Sequence, residues 1–231
     1  MPSQLPPNVH ISSHPCLLGK LSQLRSHSVT SARDVQALIK DITLILGTEA
    51  LAKALTVTGG PTDQTPLGYE YQTVSVHPGT ISLVPILRSG LGMVDAVQTL
   101  LPVPAPIHHL GLFREPTTLA PVEYYNNLPN HVSGSGANGT NASTLTILLD
   151  PIIATGGTAA AAIATLKEWG TERIIVLSVL GAAAGVKAAA QEWPERTEIW
   201  LAGVDDELTD RGMLKPGLGD VGDRLFLTIG K

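Results

Sequence analysis

The segment from residue 144 to 170 constrains the fold more than any other part of this chain. Thr144 to Leu149 is a β-branched and aliphatic run typical of a buried strand, and Asp150 ends it. Residues 154–158, ATGGT, then lead directly into an alanine-rich pattern that predicts a helix. A strand, a glycine turn and a helix in this order are typical of a parallel α/β protein.

The same order of elements creates an anion site. The first backbone N–H groups of a helix lack intrahelical partners, and the helix dipole adds roughly half a positive charge there. Gly156 and Gly157 allow a phosphate to approach the backbone closely, and Thr155 and Thr158 can add hydroxyl donors. Asp150 would repel a phosphate, so we expect it to face hydroxyls or a metal-bound sugar. A phosphorylated sugar therefore fits better than a bare phosphate.

Taken alone, the glycine turn leaves another interpretation open. Such turns reverse the chain in any parallel α/β protein without binding a ligand. Two competing nucleotide motifs are excluded, however. The chain contains no Gly-x-x-x-x-Gly-Lys-Ser/Thr sequence, and residues 154–158 do not supply the Gly-x-Gly-x-x-Gly of a dinucleotide site.

The composition is that of a globular protein with a substantial core. Of the 231 residues, 43% are hydrophobic and 15% are charged, which excludes a chain that is disordered throughout. The formal net charge is −5, and no cluster of lysines and arginines is long enough to follow a nucleic-acid backbone. The sequence therefore predicts no nucleic-acid partner, and any anion site must be local.

The sequence carries no signal for secretion or membrane insertion. Its start, MPSQLPPNVH, lacks the charged and apolar regions of a signal peptide, and its longest apolar stretches are too short to span a bilayer. The single cysteine, Cys16, cannot form an intrachain disulfide, and we expect it to pack as a small apolar group. A cytoplasmic protein with no membrane partner is the expectation.

Strand and helix patterns alternate along the rest of the chain. Residues 1–15, with four prolines, predict a poorly ordered tail or an irregular strap. Ligands of such folds bind at the carboxyl ends of the strands. We predict helices at 31–55, 91–100, 158–169 and 182–191, strands at 69–76, 80–87, 107–113, 144–149, 173–180 and 198–204, a loop at 56–68, part of a hairpin or arm at 121–128, and a flexible loop at 131–143.

Two arginines follow predicted strands and suit an anion as well. Arg88 lies in LVPILRSGLGM (83–93), and Arg114 lies in GLFREPTT (111–118). If the two strands are neighbours, these arginines can clamp a diphosphate through charge-assisted hydrogen bonds. Arg88 can equally be an ordinary surface arginine.

After the glycine turn and the two arginine segments, a fourth cluster of this kind is KPGLGDVGDRLF (215–226). It combines three glycines, a proline and two aspartates. This composition predicts a structured loop that forms neither a regular helix nor a strand. Its many exposed backbone groups can read a planar heterocycle. The alternative is a series of surface turns near the end of the chain.

Together the four clusters closely resemble the uracil phosphoribosyltransferases of the type I phosphoribosyltransferase superfamily. The similarity runs from about His14 to Phe226. Its most specific parts are VPILRSGLGM (84–93), LFREPTTLAPVEYY (112–125), DPIIATGGT (150–158) and PGLGDVGDR (216–224).

The resemblance implies an α/β fold, a type I phosphoribosyltransferase-like parallel sheet flanked by helices, with a β-arm and a C-terminal base-binding hood. It implies one domain over residues 1–231, in which 1–15 is the tail, 114–143 the flexible arm and 205–231 the hood. It also implies the transfer of 5-phosphoribose from 5-phospho-α-D-ribose 1-diphosphate (PRPP) to uracil, giving UMP and diphosphate in pyrimidine salvage.

The resemblance further implies the site residues. Asp150, Arg88, Arg114 and Asp220 would be the catalytic set, with Asp150 toward the ribose hydroxyls, the two arginines on the diphosphate and residues 154–158 around the 5-phosphate. The implied PRPP-binding residues are Arg88, Arg114, Asp150, Pro151, Ile152, Ile153, Ala154, Thr155, Gly156, Gly157, Thr158 and Asp220. The implied uracil-binding residues, acting mostly through their backbone, are Leu214, Gly219, Asp220 and Val221.

Cofactor and partners also follow from the resemblance. Mg²⁺ would accompany the diphosphate rather than sit in a dedicated protein cage. A homo-oligomer, dimer or tetramer, and a GTP effector are expected. No motif histidine offers itself as the acceptor of the uracil proton, and we expect His108 and His109 to have packing roles. Family members carry Tyr at Met213 and Ala at Val221, and these departures could weaken uracil binding or change the preferred pyrimidine.

Two alternative functions remain at this point. One is a non-catalytic pyrimidine or nucleotide sensor with the same fold, although such a protein has no evident need for four charges around one cleft. The other is a phosphoribosyltransferase for another base, which would be expected to differ in the segment 216–220.

Overall fold

The computed structural model describes residues 5–115, 121–129 and 143–228. In these ranges the strands are β1 (Val9–Ile11), β2 (Thr56–Gln64), β3 (Glu70–His77), β4 (Ile81–Leu87), β5 (Leu110–Arg114), β6 (Pro121–Asn126), β7 (Leu145–Leu149), β8 (Ile152–Ile153), β9 (Arg173–Ala182), β10 (Thr197–Asp205), β11 (Glu207–Leu208) and β12 (Leu214–Lys215). The helices are α1 (Pro15–Arg25), α2 (Ala32–Ala54), α3 (Leu91–Leu100), α4 (Gly157–Trp169), α5 (Ala183–Ala190) and α6 (Val221–Phe226).

The strands form a largely parallel central sheet in the order β1-β10-β9-β7-β4-β5-β6, with β8 paired to β9. Every pairing in it is parallel except that of β5 with β6. Helices cover both faces, since crossover connections place them there. The predicted fold class is therefore confirmed.

The core follows the two-residue repeat of the central strands. In β7, Leu145, Ile147 and Leu149 pack with helices α1, α2 and α3, whereas Leu148 packs with α4 and α5 on the opposite face. All five residues of β7 are buried. A strand buried on both faces reads as a continuous apolar run, which is why the sequence pattern identified it.

Three segments differ from the sequence-based expectations. Val9–Ile11, expected within an irregular tail, forms β1 because it pairs with the edge of β10. The expected loop at 56–68 contains β2, whose hydrogen bonds come from β3 and whose pairing shifts between Gly59 and Thr62. Val221–Phe226, expected to be irregular, is helix α6. For β1 and β2 the partner strand lies outside the local sequence pattern, whereas α6 is started by a cap, Asp220, inside a segment whose glycines indicated a loop.

One further expectation is wrong, and another is met only in part. Cys16 is exposed on α1 rather than packed as an apolar group. Of the predicted arm, β6 pairs antiparallel with β5, as expected for a hairpin or arm, but residues 116–120 and 130–142 lie outside the described residues.

Candidate active site

A cavity of about 360 Å³ opens at the carboxyl ends of the central strands. The segments after β4 and β7 form one side, hood residues before and at the start of α6 form the other, and Leu112, Phe113 and Tyr124 of the β5–β6 pair close it laterally. This is the edge of the sheet at which ligands of open α/β folds bind. The remaining lining residues are Ile86, Leu87, Arg88, Ser89, Asp150, Ile152, Ile153, Ala154, Thr155, Gly156, Thr158, Ala159, Met213, Gly219, Asp220, Val221 and Gly222.

The loop before α4 turns at Gly156, which has a φ of 86°. A Cβ atom on this residue would lie 2.2 Å from the carbonyl oxygen of Gly185, so only glycine fits. Gly185, in the first turn of α5, is equally restricted by the Ala154 carbonyl. The backbone of the loop therefore rests directly on α5, and Gly185 is a site-forming residue that the sequence reasoning missed.

Most of the predicted donor-binding segment reaches the cavity. Ile152 through Gly156 and Thr158 line it, whereas Pro151 and Gly157 do not. The Pro151 carbonyl instead accepts hydrogen bonds from the N–H groups of Val179 and Leu180, each at 3.0 Å. Pro151 thus anchors the loop to β9.

Asp150 brings a carboxylate to the floor of the cavity. Asp150 is only 6% exposed. Its backbone N–H donates to the Leu177 carbonyl at 3.2 Å, and its Oδ1 accepts from the Ile152 N–H at 3.5 Å. The side chain is thereby held at the end of β7. A fixed acceptor at this position suits ribose hydroxyls.

Arg88 lies in the turn between β4 and α3, after a cis peptide bond from Leu87. Its Nη1 donates to Thr228 Oγ1 at 3.0 Å, and its Nη2 lies 3.5 Å from Asp223 Oδ1. The side chain is half exposed and lines the cavity. A charge at this position remains accessible to an anionic ligand.

Arg114 is the last residue of β5, and Gly111 of this strand pairs with Leu87 of β4. The strand that ends just before Arg88 and the strand that ends at Arg114 are therefore neighbours, as a diphosphate clamp by these two arginines requires. The side chain of Arg114 lies outside the described part of the structure, and its contact with a ligand stays a prediction.

The hood contributes backbone and side-chain groups from one short segment. Gly219 has a φ of 80°, and Asp220 caps α6 by accepting the Asp223 N–H at 3.0 Å. Gly219, Asp220 and Val221 line the cavity. Leu214 does not, because its side chain is 9% exposed and packs in the core, and Met213 lies at the cavity instead.

Neither of the two histidines expected to pack, His108 and His109, is among the residues that line the cavity. The ring of His108 makes an edge contact with Trp169 at 5.5 Å, and its burial lowers the pKa of the imidazole below its ordinary value. His109 contributes a smaller lowering of that pKa. His108 is absent from the cavity lining, as a packing role requires.

Two general properties concern metals and membranes. Within residues 5–115, 121–129 and 143–228, no three histidine, cysteine or acidic side chains group closely enough to hold a metal ion. In the same ranges, no helix is both long enough and apolar enough to cross a bilayer.

Comparison with known proteins gives consistent matches over nearly the whole chain. The family model described as Uracil phosphoribosyltransferase matches residues 11–228. A protein of that name from Roseiflexus sp. (strain RS-1) is 43% identical over 221 residues, covering 95% of this chain and 98% of the relative. One from Desulfitobacterium hafniense (strain DSM 10664 / DCB-2) is 37% identical over 223 residues, with the same coverage of both chains.

A solved structure has the same fold. The structure of AQ2163 protein from Aquifex aeolicus superposes with a TM-score of 0.82 at 28% identity, covering 95% of this chain and 98% of that one.

Proposed function

This chain belongs to the uracil phosphoribosyltransferase family, and from this premise we propose that it transfers the 5-phosphoribosyl group of PRPP to uracil, giving UMP and diphosphate. One observation carries the proposal at the level of the site. The glycine loop before α4, the turn that bears Arg88 and the hood segment 219–221 all line a single cavity. Each would recognise a different part of the two substrates.

The donor would lie along the ends of β7 and β4. Its 5-phosphate would sit on the loop 154–158, where N–H groups at the start of α4 and the hydroxyls of Thr155 and Thr158 are available. Its ribose hydroxyls would face Asp150. The diphosphate would then extend toward Arg88 and, as we further propose, Arg114.

The base would occupy the hood side of the cavity. Backbone groups at Gly219 and Val221 suit the alternating donors and acceptors of a pyrimidine edge. The revised uracil site comprises Gly219, Asp220 and Val221 with Met213, while Leu214 supports it from the core.

The chemistry follows from where charge develops. Cleavage of the C1–O bond leaves positive charge on the ribosyl carbon and negative charge on the departing diphosphate. Arg88 would stabilise the leaving group, and Asp150 would orient the ribose so that the base attacks the face opposite the diphosphate. The acceptor of the uracil N1 proton stays unassigned.

Phosphoribosyltransferases of this fold generally use Mg²⁺ together with PRPP. The carboxylates of Asp150 and Asp220 at the cavity fit such an ion, because Mg²⁺ prefers oxygen ligands and commonly shares them between carboxylates and substrate phosphates. When bound, the ion would add positive charge beside the diphosphate.

A turnover assay tests the proposal. Purified protein, Mg²⁺ and PRPP are mixed separately with uracil, cytosine, hypoxanthine or orotate, and nucleotide and diphosphate are measured. We expect turnover with uracil and little with the others. Turnover of another base in place of uracil would support a phosphoribosyltransferase for that base. Binding of UMP without turnover of any base would support a non-catalytic sensor.

The same assay tests Asp150. We expect Asp150→Asn to lower kcat/KM by about 100-fold, because removing one preorganised electrostatic group from an active site typically has an effect of this size. Glu207→Gln is the control, since this exposed carboxylate pairs with Lys215 outside the cavity. Activity of Asp150→Asn equal to that of the control would contradict the assignment.

We also propose a homo-oligomer, supported by the β2–β3 hairpin. Its large apolar side chains are strongly exposed, with Leu67 83%, Tyr69 73%, Val74 69% and Val57 68% accessible. Such a patch is typical of a contact surface. The cytoplasmic location and the GTP effector stay predictions, and the effector is tested by measuring uracil turnover with and without GTP.

A further inference from the structure

A partly buried ion pair joins α1 to the first residue of the hood, outside the cavity. Asp205 ends β10 and is 6% exposed, and Arg25 ends α1. The two side chains form a bidentate pair, with Arg25 Nη2 2.6 Å from Asp205 Oδ1 and Nη1 3.0 Å from Oδ2. Bidentate pairing of this kind fixes the orientation of both groups.

Both members of the pair also bind the backbone of Gly217. The Gly217 N–H donates to Asp205 Oδ2 at 2.8 Å, and the Gly217 carbonyl accepts from Arg25 Nη1 at 2.8 Å. Gly217 has a φ of 65°, and a Cβ there would lie 2.2 Å from the Leu214 carbonyl oxygen. The backbone is therefore held at a residue that lies two positions before Gly219.

The next residue, Leu218, is held by a second arginine. Arg224 Nη1 donates to the Leu218 carbonyl at 2.6 Å and to the Leu24 carbonyl at 2.9 Å. Burial lowers the pKa of the Arg224 guanidinium, in keeping with its enclosed position. The end of α1 thus contacts the hood through two arginines, and neither Arg25 nor Arg224 lines the cavity.

We propose that Arg25 and Asp205 are positioning residues for the base: they orient the backbone of 217–221, of which 219–221 form the proposed uracil site, and leave the PRPP loop unaffected. The inference rests on the proposed function. Within the proposed site, the Arg25–Asp205 pair contacts only the hood segment, through Gly217. Loosening the Arg25–Asp205 pair should raise the KM for uracil much more than the KM for PRPP, because Asp220 is the one proposed PRPP-binding residue in the hood.

The test uses full-length Arg25→Lys and Asp205→Asn proteins. Lysine keeps the charge but loses the bidentate geometry, and asparagine keeps an oxygen that accepts from Gly217 but loses the charge. The control is Asp41→Asn, which removes the Lys20–Asp41 pair at 2.6 Å. That pair also ties α1 to its neighbour, α2, but does not contact the hood.

Each protein is assayed for kcat and for both KM values, with thermal unfolding as a check on folding. We expect the KM for uracil to rise about 10-fold or more in Arg25→Lys and Asp205→Asn, with the KM for PRPP within about 2-fold of the unmodified value. Asp41→Asn should change neither KM. Arg25→Lys is the milder change and remains decisive if Asp205→Asn does not fold.

Three results would overturn the inference: parallel increases in both KM values, unchanged kinetics in a folded Arg25→Lys protein, or an Asp41→Asn protein with the same rise in the KM for uracil. Loss of folding in Arg25→Lys would also overturn it, because the pair would then be a general requirement for the fold. Failure of the proposed function appears separately, as absence of uracil turnover in the unmodified protein.

Discussion

Gly156 combines two constraints at a single residue. Its φ of 86° lies in the left-handed region, and the Gly185 carbonyl occupies the space that a side chain would need. The sequence predicted the glycine turn from the strand and helix around it. It gave no signal for Gly185, because the contact joins two helix starts that are 29 positions apart.

We expect Gly156→Ala to weaken PRPP binding by about 100-fold, because the loop must move to relieve the contact with Gly185. The measurement is a calorimetric titration with PRPP and Mg²⁺, beside thermal unfolding. Gly19→Ala is the matched control, since a Cβ at this exposed position of α1 meets nothing within 4 Å. It should bind PRPP normally and be more stable by about 0.5–1 kcal/mol. Equal PRPP affinities in the two variants would contradict the expectation.

Met213 and Val221, the two departures from the family pattern, occupy different environments. Val221 is 3% exposed and its side chain packs in the core, so its extra bulk is largely accommodated there. Met213 is 36% exposed at the cavity. We therefore assign any change in base preference mainly to Met213.

Met213→Tyr should lower the KM for uracil by about 5-fold, the equivalent of one added hydrogen bond worth about 1 kcal/mol. Val221→Ala should instead lower the free energy of unfolding by roughly 1–2 kcal/mol, through lost apolar burial, with little change in that KM. Steady-state kinetics and denaturant titration of both variants check this pair. If Val221→Ala changed the KM for uracil and Met213→Tyr did not, Val221 rather than Met213 would control the base site.

At the scale of elements, helix α6 shows why the hood was only partly predictable. The glycines and aspartates of 216–223 predicted a loop, and Gly217 and Gly219 do have positive φ values. Asp220, however, accepts the Asp223 N–H and so starts a short helix whose buried residues are Val221 and Leu225. The capping pattern is too short to be distinguished from a turn without the packing that stabilises it.

The β2–β3 hairpin is another element whose pairing decided its structure. Residues 56–64 contain two adjacent glycines followed by a proline, a composition that favours a loop. The hairpin tolerates them because Gly60 and Pro61 lie where the pairing register shifts. Its strands place Val57 and Val74 on one face, and the paired residues Thr58 and Ser75 on the opposite face.

We expect the double substitution Val57→Lys and Val74→Lys to shift the protein toward monomer, because charges on the apolar face oppose its burial. Sedimentation velocity at several concentrations measures the distribution. Thr58→Lys with Ser75→Lys adds the same charge to the opposite face and should leave the assembly unchanged. A monomeric unmodified protein, or equal dissociation in both double variants, would contradict a contact through the apolar face.

At the scale of the molecule, the chain order of the strands explains how separated motifs form one site. β4 lies between β7 and β5 in the sheet, so the segments after these three strands are adjacent although β4 and β7 end 62 positions apart, at Leu87 and Leu149. The sequence predicted this meeting because parallel strands end at the same edge. It did not predict the links from α1 to the hood, since Arg25 and Arg224 resemble ordinary surface arginines in the sequence.

The pH dependence of stability is also a property of the whole molecule. Burial, and then the charge of Lys53, lower the pKa of His10 despite the opposing effect of Glu198, and burial lowers the pKa of His108. Both imidazoles therefore bind a proton less readily in the folded protein than in the unfolded chain, where the ordinary value is 6.5. The unfolded state takes up more protons below that value, so acid favours unfolding.

We therefore expect the free energy of unfolding to be constant with respect to these two groups above about pH 7 and to decrease as the pH falls from about 6.5 to 5. Urea titrations at steps of half a pH unit measure the slope in this window, which lies above the usual range for carboxylates. His10→Gln and His108→Gln should each reduce the slope, and the double variant should reduce it further. Each substitution also changes the free energy of unfolding at pH 8, where both imidazoles are neutral. The variants are therefore compared by the slope of that free energy against pH rather than by its absolute value. A slope unchanged in the double variant would mean that neither histidine links protonation to folding, and that the loss of stability in mild acid comes from groups elsewhere in the chain.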